Sequence, residues 1–192
     1  MGDKTVLILG ASYYQIDTIK AAKRLGYQTI TTDNNPQSPG HSLADRSFQV
    51  DTTDKDGILS LAISHRIDGI ISPATDVAVP TAAFVAEKLG LAGPPVIAVE
   101  IVCDKEQFRQ FQVDRGLPAP EQMSLSELDI ASGDKSAFLP WIVKPSRSSG
   151  GKGVRIISED IELNVHLEAA RNFSLNNNIL IEEYIVGFQG TA

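Results

Sequence analysis

Residues 141–158 read WIVKPSRSSGGKGVRIIS. An apolar run ends in Lys144 and Pro145, small and basic residues with three glycines follow, and a second apolar run begins at Val154. Both flanks predict strands. The stretch is therefore a hairpin whose tip is flexible and positively charged, with Lys144, Arg147 and Lys152 gathered around Gly150, Gly151 and Gly153. Glycines let backbone N–H groups turn toward one point, and such a loop can cradle phosphate oxygens. Lysine adds a compact charge that a phosphate can use. The plainer alternative is a solvent-exposed hairpin whose glycines serve only the turn. A Walker-type loop fits poorly, because Gly151-Lys152-Gly153 leads into a strand rather than a helix.

The surroundings sharpen the contrast. The chain has 192 residues and a formal net charge of −7, with 42% hydrophobic and 21% charged residues. That is an ordinary globular balance. The acidic excess argues against a general nucleic-acid binder, so a local basic loop points to a small anionic ligand. The single cysteine, Cys103, excludes an intramolecular disulfide and fits a reducing compartment. MGDKTVLILG lacks a signal-peptide pattern, and no apolar run approaches the ~20 residues of a membrane span. The expectation is a soluble, cytoplasmic protein without membrane or nucleic-acid partners.

N-terminal to the hairpin, strand and helix alternate. KTVLIL (4–9) reads as a buried parallel strand ending at Gly10. A helix over 15–25 follows, with Ile16, Ile19, Ala22 and Leu25 on one face and Gly26 as its stop. YQTITTD is a second strand ending at Asp33, SFQV a third and IDGIIS a fourth, with helices over 54–66 and 76–91. Short connections in that order predict a parallel, doubly wound sheet. The pattern changes near residue 94. Two helical pieces with a break near Asp104 run to Gly116. Then come the hairpin, a helix over 159–173 and a last strand in NILIEEYIVG. This is an α+β order, and the boundary is drawn as 1–93 and 94–192.

Lys105 in CDKEQFRQFQVDRGLPAPE, Lys144 in VKP, the glycine-rich loop and LIEEYIVG form an ordered set. Together they resemble the ATP-grasp superfamily, ligases that join a carboxylate to an amine or similar nucleophile. The resemblance implies an α/β chain: a Rossmann-like parallel-sheet domain that precedes the ATP-grasp fold, then its α+β first subdomain. It implies ATP contacts from Lys105 and Lys144 to phosphate, a lid from Ser148, Ser149, Gly150, Gly151 and Gly153, and an adenine hinge at Glu182, Glu183, Tyr184 and Ile185. Where the family has a ribose-holding glutamate two residues after a glycine, this chain has Gln189, which is neutral but can still hydrogen-bond a hydroxyl. ATP and magnesium are the implied cofactors, and a small carboxylate and an amine the implied partners. A homo-oligomer stays open.

In the first domain a dinucleotide fingerprint would need G-x-G-x-x-G, and only Gly10 matches. The resemblance instead implies an acceptor-substrate pocket at Gly10, Ser12, Tyr13, Tyr14 and Gln15. Asp33, Thr75 and Asp76 lie at strand ends on the same edge, where open α/β sheets bind ligands. Asp33 also reads as a turn former before Asn34-Asn35-Pro36. His41, His65 and His166 lack ligand spacing. Cys103 reads as a buried structural thiol and Trp141 as core.

The function expected is an ATP-dependent ligase that forms an acyl phosphate and passes it to an amine. The alternatives are a non-catalytic nucleotide-binding regulatory module and a Rossmann NAD(P)-binding protein. Because the sequence stops soon after the hinge strand, the further expectations are an incomplete, inactive enzyme fragment with no metal ligands of its own, and a last strand with one unpaired edge.

Overall fold

The structure is a computed structural model that describes residues 4–123, 140–158 and 163–187. They divide into two compact units, Met1–Cys103 and Asp104–Ala192.

The first unit is a four-stranded parallel sheet of order β3-β2-β1-β4, from β1 (Thr5–Leu9), β2 (Gln28–Thr32), β3 (Arg46–Phe48) and β4 (Gly69–Ile71). All three pairings are parallel. β1 is central, which explains its unbroken apolar run: alternate side chains enter different cores. Ile8 packs with Ile19 and Ala22 of α1 (Ile16–Arg24). Leu7 and Leu9 join Ile30, Ile58, Ala62 and Val85 on the opposite face, under α2 (Lys55–His65) and α3 (Val79–Leu89). Burying each such side chain stabilises by about 1.5–3 kcal/mol.

The helix ends follow capping chemistry. Asp54 caps α2 by accepting the Gly57 N–H at 3.0 Å. Pro80 sits in the first turn of α3, where its missing N–H costs nothing, and Gly90 ends that helix at φ +64°. Leu25, expected on the buried face of α1, is 74% exposed. The helix stops at Arg24, and Leu25 has already left helical geometry with ψ near 1°. α4 (Val96–Cys103) packs on α3. Cys103 is only half-buried, unlike the buried thiol expected.

The second unit is a three-stranded antiparallel sheet of order β6-β5-β7, from β5 (Trp141–Pro145), β6 (Arg155–Ile157) and β7 (Ile179–Glu183). Its helices are α5 (Lys105–Asp114) and α6 (Leu163–Asn172). The expected hairpin is β5–β6. Trp141, Val143, Ile157 and Ile181 form one core with Leu167 and Ala170 of α6. β7 has a partner on its other edge, contrary to expectation. Met123 N–H donates to Ile181 O at 2.9 Å, and Glu183 N–H to Glu121 O at 3.0 Å. This pairing was not legible because the segment is short, follows two prolines and has no alternating pattern. Among the described residues, no helix is long and apolar enough to cross a membrane.

Candidate functional site

In the second unit, residues that face each other across β5 and β7 share a sheet face. Lys144 opposes Leu180 and Ile142 opposes Glu182, so Lys144 and Glu182 project on the same side. The Lys144 ammonium donates to Glu182 Oε1. Arg109 from α5 completes the group: its Nε donates to Glu182 Oε2 at 2.9 Å, and its Nη1 to Gln112 Oε1 at 2.7 Å. The Glu182 side chain is 4% exposed, that of Lys144 13% and that of Arg109 18%. Two cations thus share one buried carboxylate, leaving a positive excess that an anionic ligand could balance.

A second group holds the root of the glycine-rich loop. Asp104 caps α5 by accepting the Glu106 and Gln107 N–H groups. It also accepts Ser146 Oγ at 2.6 Å, Arg147 Nε at 2.9 Å and Asn176 Nδ2 at 3.1 Å. Burial pushes its carboxyl pKa up, but the hydrogen bonds from Ser146, Arg147 and the Gln107 N–H, with the Arg147 charge, together hold it below the usual carboxylate range. Lys105 extends the same contact: its backbone N–H donates to Ser146 O at 3.0 Å and its ammonium to Ser148 O at 3.1 Å. Beyond Ser148 the chain turns at Gly150 and Gly151, both with φ near +70° and with open space around their α-carbons. Lys152 is exposed there.

In the first unit a cleft of about 300 Å³ opens at the carboxyl ends of the strands. The strand order reverses between β1 and β4, the switch point where open α/β sheets take ligands. Gly10, Ser12, Gln15, Asp33 and Thr75 line it together with Tyr14 and Asn34. Asp33 ties the edge together, accepting the Ala11 N–H on Oδ2 and the Asn35 N–H on Oδ1, each at 2.9 Å. It is therefore both a cleft residue and the turn former read from the sequence.

The structure brings together Lys105 with the Ser148 end of the loop, and Lys144 with Glu182. It does not bring Glu183 to Lys144. Glu183 follows Glu182 on the strand and turns the other way, and its Oε1 accepts the Glu121 N–H at 3.2 Å. The Tyr184 N–H donates to Pro140 O at 3.0 Å, and Ile185 is 63% exposed. Ser149, Gly150, Gly151 and Gly153 belong to the turn. Gln189 lies outside the described residues. In the first unit, Tyr13 and Asp76 do not line the cleft. Sequence reading missed Asp104 and Arg109. Asp104 with Gln107 three residues on is an N-terminal capping pattern, and Arg109 stands four residues after Lys105, one helical turn away.

The fold is an α/β unit with a parallel sheet followed by an α+β unit with an antiparallel one. Residues 104–191 match the family described as carbamoyl-phosphate synthase L chain, ATP binding domain. The formate-dependent phosphoribosylglycinamide formyltransferase of Paraburkholderia xenovorans is 29% identical over 189 residues, covering 96% of this chain and 46% of the relative. The carbamoyl phosphate synthase large chain of Clostridium beijerinckii is 26% identical, with 96% and 19% covered. The biotin carboxylase domain dimer of Hydrogenobacter thermophilus 2-oxoglutarate carboxylase, solved with MgADP, ADP and bicarbonate, aligns with a TM-score of 0.76. It is 23% identical, with 95% of this chain and 44% of that chain covered. The chain is similar to the N-terminal part of enzymes of the ATP-grasp superfamily. It spans less than half the length of these relatives.

Proposed function

We propose that the protein is an ATP-dependent ligase in which the second unit binds the nucleotide and the first unit receives an acceptor substrate. The observation that carries this reading is the Lys144–Glu182–Arg109 group, a buried cluster with excess positive charge one strand-end away from a glycine-rich turn. In the reaction, a substrate carboxylate oxygen attacks the γ-phosphorus of ATP. The bond to the β-phosphate oxygen breaks and ADP leaves. An amine then attacks the acyl phosphate carbon, a C–N bond forms, and phosphate departs as the amine loses a proton to solvent.

The chain's own groups have distinct parts in that scheme. Lys144 and Lys105 hold phosphate oxygens and offset charge as it moves onto the leaving group. The turn from Ser149 to Lys152 covers the phosphates and keeps water from the acyl phosphate. Glu182 fixes the Lys144 ammonium and presents a carboxylate to a purine amine. Magnesium bound with the triphosphate would offset phosphate charge. Among the described residues no group of three or more His, Cys, Asp and Glu side chains gathers as a metal site.

Hydroxylamine trapping tests the reading. With ATP, hydroxylamine and a panel of carboxylates, one carboxylate should give hydroxamate and ADP in equal amounts, and Lys144→Met should abolish both. ATP binding without carboxylate-dependent ADP release would instead identify a nucleotide-binding module without turnover.

A further inference from the structure

The first-unit cleft lies beside the turn after β1, the position at which glycine-rich loops cradle phosphate with free backbone N–H groups. Here six of the seven N–H groups from Gly10 to Ile16, all but that of Tyr13, already have acceptors. Gly10 N–H donates to Thr32 O at 2.8 Å, Ala11 N–H to Asp33 Oδ2 at 2.9 Å and Ser12 N–H to Gln15 Oε1 at 3.0 Å. Tyr14 N–H is directed to Ser12 Oγ, Gln15 N–H to Ser12 O and Ile16 N–H to Tyr13 O. The Gln15 side chain, 2% exposed, closes the turn from below: its Nε2 donates to Pro73 O at 2.7 Å and its Oε1 also accepts Ser12 Oγ at 2.6 Å. Gly10 holds φ +92°, and a Cβ there would lie 3.0 Å from Gln15 Cδ, so a side chain at this position would disturb the turn.

The charge of the lining points the same way. Among the described residues, no lysine, arginine or histidine lines the cleft, and Asp33 is the one charged side chain that does. Both Asp33 oxygens are held by backbone N–H groups, and each keeps a second lone pair for a ligand. Tyr14 lines the same cleft and is 79% exposed. An aromatic face beside a carboxylate is a recognition pattern for ammonium groups. Ser12, Thr52 and Thr75 supply hydroxyls around them.

We propose that this cleft binds a primary amine in its ammonium form, with Asp33 as counter-ion and the Tyr14 ring as a second contact, and that it does not bind phosphate. The ligand's role as the acceptor amine rests on the ligase reading, in which the ammonium first gives one proton to solvent to free the lone pair that attacks, but its binding does not.

The test leaves ATP out. In ¹⁵N NMR titrations, ethanolamine and glycinamide are compared with ethylene glycol and with inorganic phosphate, followed at the Ala11 and Asn35 amides. The amines should give saturable shifts with at least roughly tenfold tighter binding than the glycol, and phosphate should give none. Asp33→Asn should weaken amine binding at least roughly tenfold. Since that change could disturb the turn, Tyr14→Leu, at an exposed side chain, is the companion, with an expected loss of several-fold. Phosphate binding at these amides, equal binding of amine and glycol, or no amine shift would each overturn the proposal. A separate ATP titration followed at the Lys144 and Glu182 amides tests the nucleotide site. Amine binding without ATP binding would remove the ligase reading and leave this one standing.

Discussion

Glu182 and Glu183 are neighbours in sequence and differ in every physical respect. Glu182 is 4% exposed with two cationic partners, whereas Glu183 is exposed and holds a backbone N–H. Strand alternation alone separates them, although the sequence reading puts both in one adenine hinge. The Arg109 contact was not legible, because it joins residues 73 apart. Lys144 and Lys105 stand out through their motifs, whereas Asp104 shows in the sequence only as a break between two helical pieces. Lys144→Met should leave the fold intact, because Arg109 still pairs with Glu182. It should weaken ATP binding by about 2–4 kcal/mol, measured by calorimetry. An unchanged dissociation constant would place the phosphates elsewhere. Asp104→Ala removes a cap and a buried acceptor together, at a cost of about 2–4 kcal/mol in urea unfolding. The sign of the pH effect follows from the direction of its shift. The folded-state pKa is lowered, so the stabilisation is complete above the unfolded value of about 3.9 and is lost as pH falls through the folded value. Wild type should therefore lose stability below about pH 4 more steeply than Asp104→Asn. Parallel pH profiles would show that Asp104 is not the group responsible.

The hairpin tip was legible as an element because glycines and serines cluster between two apolar runs. Its anchoring was not, since the bonds that hold it come from a turn far along the chain. Ser146 N–H donates to Asn178 O and Leu175 N–H to Arg147 O, both at 2.9 Å. The mobile part of the proposed lid is therefore the short piece from Ser149 to Lys152, with fixed roots. Hydrogen exchange should slow on adding ATP at residues 149–152 and change little at 146 and 147. Uniform exchange with and without ATP would remove the lid role. The glycines divide in the same way. At Gly153, φ is +71° and a Cβ would meet Phe173 Cβ and Pro145 Cγ at 3.0 Å. Gly153→Ala should destabilise the second unit by more than about 1 kcal/mol, through strain and contact together. Gly150→Ala meets only the strain and should cost about 1 kcal/mol or less, with its larger effect on ATP closure. Equal losses of stability at the two positions would contradict this division.

At the scale of the whole chain, two units with separate cores were legible as a change from strand–helix alternation to an α+β order. What the pattern could not show was that α4 packs on α3, since an apolar helix reads the same whichever unit it joins. Separate cores make separate reporters. Trp141 is the one tryptophan of the sequence and is 2% exposed in the second unit's core, so its emission follows that unit. Far-UV circular dichroism follows both units and includes the four helices of the first. A ligand that binds only the native second unit stabilises that unit by mass action, by about 2.7 kcal/mol at a hundredfold excess over its dissociation constant. For a unit of this size that is roughly 10 °C or more. ATP should thus raise the Trp141 midpoint by this amount and leave a lower-shifted or unshifted phase in the dichroism from the first unit. An amine that fills the Asp33 cleft should do the reverse, moving the dichroism phase of the first unit and leaving Trp141 in place. If ATP moves both phases equally, the units unfold as one cooperative block and the two sites are coupled through it. If ATP moves only the first unit, the nucleotide belongs at the sheet edge beside Asp33, and the assignment of Lys105 and Lys144 is wrong.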